Sequence, residues 1–118
     1  MIQLTGLNGA TIIVAPNTVY RIRATTPLEG KDVMKVEYAG GYIFTLESIS
    51  SLLARMPNDL KIIKLTTRSA TSVYLNGGAV TRARDALPMN GPGTEITVSG
   101  QYQHVVETLQ QVETLLSA

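Results

Sequence analysis

The sequence predicts a β-rich α+β protein, and three observations carry that reading. Short runs alternating apolar and polar residues, such as Val19 to Ala24, are bounded by the turn-forming strings Asn8-Gly9, Gly40-Gly41 and Gly91-Pro92-Gly93. Two other stretches space their apolar residues by three and four, as helices do: Ile49, Leu52 and Leu53 in one, Leu109, Val112, Leu115 and Leu116 in the other. The third observation is that the chain resembles itself at a register of about 60 residues, the signature of an internal repeat.

In that register Ile2, Leu4 and Thr5 fall on Ile63, Leu65 and Thr66. Val19, Arg21 and Arg23 fall on Val80, Arg82 and Arg84, and Pro27 and Gly30 on Pro88 and Gly91. After one deleted residue, Gly40 falls on Gly100, Tyr42 on Tyr102, and Leu46-Glu47-Ser48-Ile49 on Val106-Glu107-Thr108-Leu109. Residues 1–56 and 62–118 read as tandem copies, with a linker at 57–61 where Pro57-Asn58-Asp59 breaks the chain.

Each copy is expected to hold about five short strands and a C-terminal helix. Ile2 and Leu4 begin an alternating strand, Asn8-Gly9 turns it, and the β-branched run Ala10 to Val14 returns as the second arm of a hairpin. Past Pro16-Asn17, Val19 to Ala24 is a third strand, with Tyr20 and Ile22 on one face and Val19, Arg21 and Arg23 on the other. Val33 to Tyr38 and Tyr42 to Leu46 form a second hairpin around Gly40-Gly41, where glycine supplies positive φ without a Cβ clash. Ser48 is placed to cap the first helix and Thr108 the second, since a hydroxyl there accepts from free N–H groups of the first turn. A module of this size buries only about 60% of its extended-chain surface. The copies are therefore expected to share a core, packed as one pseudo-twofold unit that also covers exposed strand edges.

Composition narrows the function. Of 118 residues 44% are hydrophobic but only 16% charged, against roughly 25% in an ordinary soluble domain. Ten Lys plus Arg against nine Asp plus Glu leave a net charge of +1, so no bulk field gathers nucleic acid or an anionic membrane. The chain has no cysteine, which closes disulfide, thiolate and Cys-type metal chemistry. No early basic cluster with an apolar segment opens the sequence, and no stretch approaches the ~20 apolar residues of a membrane span. The expectation is a soluble product made in the cytosol, with both ends tied into structure.

The opening Met1-Ile2-Gln3-Leu4-Thr5-Gly6-Leu7-Asn8-Gly9, followed by Val14-Ala15-Pro16, Ile22-Arg23-Ala24-Thr25-Thr26-Pro27 and Glu47-Ser48, resembles the small FlbD/SwrD flagellar and swarming-motility family over residues 1–56. The resemblance implies a motility role and a module of the kind just described. Members of that family are single short modules rich in Glu and Lys. This chain is duplicated and charge-poor, and has Ser69-Ala70 where the second copy should have Asn-Gly. Similar motifs occur in small phage proteins, and a Thr-, Ser- and Gly-rich chain without cysteine looks like a virion accessory subunit.

Candidate chemistry is sparse. His104 is the single histidine, aligned with Phe44, and reads as a partly buried ring with its nitrogens bonded to backbone or water. Glu47-Ser48 and Glu107-Thr108 sit at helix starts, where a carboxylate favours the helix dipole. No Gly-rich segment gives a Walker or dinucleotide pattern. No catalytic, cofactor-binding or metal-binding residue is assigned, and no cofactor is expected. The repeated Arg-x-Arg is the notable polar feature. Arg21, Arg23, Arg82 and Arg84 would project as two related patches from strands, suited to gripping carboxylates of a protein partner.

The reading is thus a non-enzymatic structural or interaction subunit of a symmetric assembly: a bacteriophage virion accessory protein, as capsid decoration or head–tail component, located in the virion. Its partners are proteins, with a homo-oligomer allowed, a membrane excluded and nucleic acid disfavoured. The alternatives are a flagellar or swarming-motility accessory in the bacterial cytoplasm near the flagellar base, or a small regulatory binding module.

Overall fold

A computed structural model describes residues 1–25 and 33–118. The matches of Pro27 with Pro88 and of Gly30 with Gly91 fall outside the described residues. Among those described, ten strands and two α-helices follow one another as β1 (Ile2–Thr5), β2 (Thr11–Val14), β3 (Val19–Ala24), β4 (Met34–Tyr38), β5 (Gly41–Thr45), α1 (Ile49–Ala54), β6 (Ile62–Thr66), β7 (Ser72–Asn76), β8 (Val80–Asp85), β9 (Thr94–Val98), β10 (Gln101–Val105) and α2 (Leu109–Ser117). Short 3-10 turns at Pro16–Thr18 and Gly77–Ala79 lead into β3 and β8. The protein is β-rich α+β.

Local chemistry sets these elements. The β1–β2 turn closes through Gly6 N–H donating to the Ala10 carbonyl at 2.8 Å, Asn8 Oδ1 accepting from Ala10 N–H at 3.0 Å, and Gly9 at φ 82°. The β6–β7 turn has the same closure, Thr67 N–H to Thr71 O at 2.8 Å, but puts Ala70 at φ 64°. A Cβ crowds the carbonyl there. Ala70→Gly is therefore expected to raise stability by about 0.5–1 kcal/mol, after allowing for the looser unfolded chain. A lowered denaturation midpoint would show that this φ carries no strain.

Both helices begin as expected. Ser48 Oγ accepts from Ser51 N–H at 3.1 Å. Thr108 and Gln111 form a reciprocal capping box, at 3.2 Å for the hydroxyl and 2.8 Å for the amide oxygen. The adjacent carboxylates do something else. Glu47 accepts from the Thr5 N–H at 3.3 Å and Glu107 from the Thr66 N–H at 2.9 Å, so each ties the start of a helix to the end of its half's first strand.

Strand pairing is antiparallel throughout and makes three sheets: β1-β2, β5-β4-β3-β7-β6 and β10-β9-β8. Registers match between the halves. Ile2 pairs with Val14 as Ile63 does with Leu75, and Val19 with Tyr38 as Val80 does with Val98. A bulge falls at the same place in both, between Val19 and Arg21 and between Val80 and Arg82.

The expected single shared core is replaced by two clusters. One gathers Ile2, Leu4, Val14, Val19, Ile22, Val36, Leu52 and Met56; the other gathers Ile63, Leu65, Val73, Leu75, Ile96, Val98, Val105 and Val112. The reason is that each hairpin packs over its own three-stranded meander, while the five-stranded sheet runs between the halves. The bulge also corrects the expected faces of β3. One extra residue opposite β4 lets Val19 and Ile22 both enter the first core and turns Tyr20 toward the second. Along α2, Val112 is buried and Leu115 is exposed.

Candidate protein interface

The junction between the halves is the pairing of β3 with β7, where Arg21 stands opposite Leu75, Ile22 opposite Tyr74 and Arg23 opposite Val73. Directly opposed residues share a face. Ile22 and Tyr74 accordingly pack on the first core, and Leu75 belongs to the second, so one sheet divides the two. Asn76 fixes the register: its buried Nδ2 donates to the Val19 carbonyl at 3.1 Å and its Oδ1 accepts from Gly78 N–H at 3.0 Å.

Arg21 does not belong to an exposed patch. It is 9% exposed and grips the Glu37 carboxylate through Nε and Nη2, the latter at 2.8 Å. Its Nη1 donates to the Tyr102 carbonyl at 3.2 Å and to Gln103 Oε1 at 3.0 Å, reaching β10 of the other half. The planar guanidinium suits this because its N–H groups diverge in one plane and meet a carboxylate on one side and a strand on the other. Beside it, burial first and the Glu37 charge second push the Tyr20 phenol above its ordinary 10.0, against the lowering effect of Arg21.

The other three arginines are placed differently. Arg23 is half-buried opposite Lys35, with Nη1 donating to the Ala24 carbonyl at 3.3 Å. Arg84 Nε pairs with Glu95 at 3.0 Å. Arg82, the counterpart of Arg21, is exposed and faces Thr97 where Arg21 faces Glu37. Neither of the two expected Arg-x-Arg patches projects as a whole from its strand: Arg21 joins the halves, Arg23 is half-buried, Arg84 is ion-paired to its neighbour strand, and Arg82 projects to solvent.

The expected covering of strand edges is not seen, and a groove beside one of them went unmarked in the sequence. Six strands have an outer edge that no described strand pairs: β1, β2, β5, β6, β8 and β10. β2 is four residues without a charge, and its Ile13 is 64% exposed. Beside β2 lies a groove of about 380 Å³ lined by Leu7, Ala10, Ile12, Tyr42, Ile43 and Phe44, with Leu7 and Tyr42 exposed. Bare apolar edges of this kind invite another strand. Lys35 sits 4.4 Å from the Tyr42 ring centroid, which holds that ring at the groove's rim.

His104 lies in β10 opposite Glu95, and neither ring nitrogen has a hydrogen-bond partner in the protein, so the expected backbone bond is not made. A buried donor left unpaired costs about 1–3 kcal/mol. His104→Phe, which installs the residue found at position 44, is expected to raise stability by about 1 kcal/mol. A lowered melting temperature would mean that the imidazole nitrogens are satisfied by solvent.

Among the described residues no group of three or more His, Asp or Glu could hold a metal ion, and no helix is long and apolar enough to cross a membrane. The chain matches no protein-family model, no curated protein and no solved structure.

Proposed function

We propose that the protein is a non-enzymatic structural subunit of a larger assembly, a bacteriophage virion accessory protein serving as capsid decoration or head–tail component. In this reading residues 1–56 and 62–118 are tandem copies of one module, as the matched registers, bulges and turn closures of the two halves suggest. The observation that carries it is the open edge of β2, uncharged and flanked by an apolar groove. Such a surface offers backbone hydrogen bonds and apolar contact to a protein, the mode of strand addition. The low charge of the chain fits close packing among many neighbours better than steering of ionic ligands.

Mass spectrometry of purified virions and of flagellar basal bodies from the source tests the proposal. Stoichiometric copies in virions are expected. Enrichment in basal bodies alone would replace it by a motility accessory, the role implied by the Leu4-Thr5-Gly6-Leu7-Asn8-Gly9 resemblance. Absence from both would overturn each and leave a regulatory binding module.

A further inference from the structure

The slot beside β2 has a counterpart inside the same chain, and there it is filled. By the register of the repeat, Ile12, Tyr42, Ile43 and Phe44 of the groove correspond to Val73, Tyr102, Gln103 and His104. Across those second-half residues lies β3: Arg23 pairs with Val73, and Arg21 donates to the Tyr102 carbonyl and the Gln103 side chain. The counterpart of β3 is β8, and β8 is one of the sheet-terminal strands whose outer edge no described strand pairs. The chain therefore displays a socket and a plug that match each other by the same rule that joins its halves.

They do not meet within one molecule. If a twofold axis related the halves, it would carry β3 onto β8 and β7 onto β2, so the pairing of β3 with β7 would require β8 to pair with β2 of the same chain. That pairing is absent, which corrects the expected pseudo-twofold unit. A contact repeated by an operation other than a twofold is heterologous and propagates from molecule to molecule, closing into a ring if the rotation allows and otherwise continuing as a filament.

We infer that β8 of one molecule seats in the groove beside β2 of a second copy of this chain, assembling it head to tail. The register follows from the internal junction: Arg82 opposite Val14, Ala83 opposite Ile13, and Arg84 opposite Ile12. Ile13 then covers Ala83, which lies at the margin of the second core, as Tyr74 covers Ile22 on the first. Arg82 donates to the Tyr42 carbonyl as Arg21 does to that of Tyr102. Thr97 and Ile43 stand where Glu37 and Gln103 stand inside, so Arg82 has no carboxylate there and keeps part of its guanidinium in solvent at the rim of the contact, which makes this the weaker, reversible version. The inference rests on reading the halves as copies, and it goes beyond that reading by naming the occupant of the β2 edge and its groove.

Two variants separate the plug from the socket, both at exposed positions: Ile13→Glu blocks β2 and Arg82→Glu blocks β8. Light scattering coupled to size exclusion is expected to show the wild-type mass rising above 12.7 kDa with concentration up to about 1 mM. Each variant, melting like wild type, is expected to lose at least about tenfold in self-affinity. Mixed in equal amounts, the two variants are expected to form one complex of about twice 12.7 kDa, since each supplies the edge that the other lacks. A wild-type chain that stays monomeric overturns the inference, and so do variants that still associate alone. A mixture that remains monomeric while wild type associates also overturns it, in favour of a symmetric contact such as β2 on β2. The virion measurement is independent of these outcomes, so failure here leaves the proposed location standing.

Discussion

Glu37→Ala is expected to cost about 3–5 kcal/mol of folding stability, because it strips the carboxylate from a guanidinium that the fold keeps 9% exposed. Arg21 cannot retreat to water without withdrawing from the Tyr102 carbonyl and Gln103, and those bonds join β3 to β10 across the halves. The loss should therefore appear as loosened coupling as well as reduced stability: a broader denaturant transition, or separate transitions for the two cores. The double replacement Arg21→Met with Glu37→Leu gives the contrast. It removes both charges and fills the space with apolar atoms, and a buried ion pair replaced this way is often neutral or better. Near-equal stability of the double variant and wild type, beside a failing Glu37→Ala, would place the cost in the orphaned charge. A Glu37→Ala chain within about 1 kcal/mol of wild type would show that Arg21 regains solvent.

Local features of this fold were legible and non-local ones were not. Asn8-Gly9 announced the first hairpin and Ser48 and Thr108 the helix caps, because a turn or a cap is decided by a few adjacent residues. The strand β3 was legible over its whole length, but its faces were not. Alternation assigns Val19 to the side of Arg21, and the bulge that reverses this leaves no mark in residue type. The pairing of β3 with β7 was equally hidden, since periodicity says which face of a strand is apolar and nothing of which strand lies at its edge. That gap governs the site. Arg21 and Arg82 look alike in sequence, yet one is buried against Glu37 and the other exposed opposite Thr97. A signal was available in the repeat itself: Glu37 becomes Thr97, so the carboxylate that would neutralise a buried Arg82 is missing. Glu47 and Glu107 were placed correctly beside the caps, but their strand N–H partners lie 42 and 41 residues away.

Gly93→Ala is expected to lower stability by roughly 2–6 kcal/mol, the combined scale of a strained φ and an overpacked contact. Gly93 leads into β9 at φ 125°, and a Cβ there would lie 2.0 Å from the Val105 carbonyl oxygen and 3.2 Å from Val106 Cα. Backbone, not a flexible side-chain tip, blocks the space, so relief demands that β9 and β10 separate. That movement reaches the adjacent Thr94, whose buried hydroxyl donates to the Glu107 carbonyl at 2.9 Å, and through Glu107 the N–H of Thr66 at the end of β6. The clash thus opens the seam that holds α2 and the first strand of the second half together. Gly91→Ala isolates the conformational part: its φ is 82° and the nearest atom is the Arg68 guanidinium at 4.0 Å, so only about 1–2 kcal/mol is expected there. Equal losses for the two variants would mean that φ alone sets the cost and that β10 yields freely at Val105. A loss at least about 1 kcal/mol greater for Gly93→Ala would locate the difference in the strand contact, which is the dearer of the two because dense packing leaves the backbone no room to give.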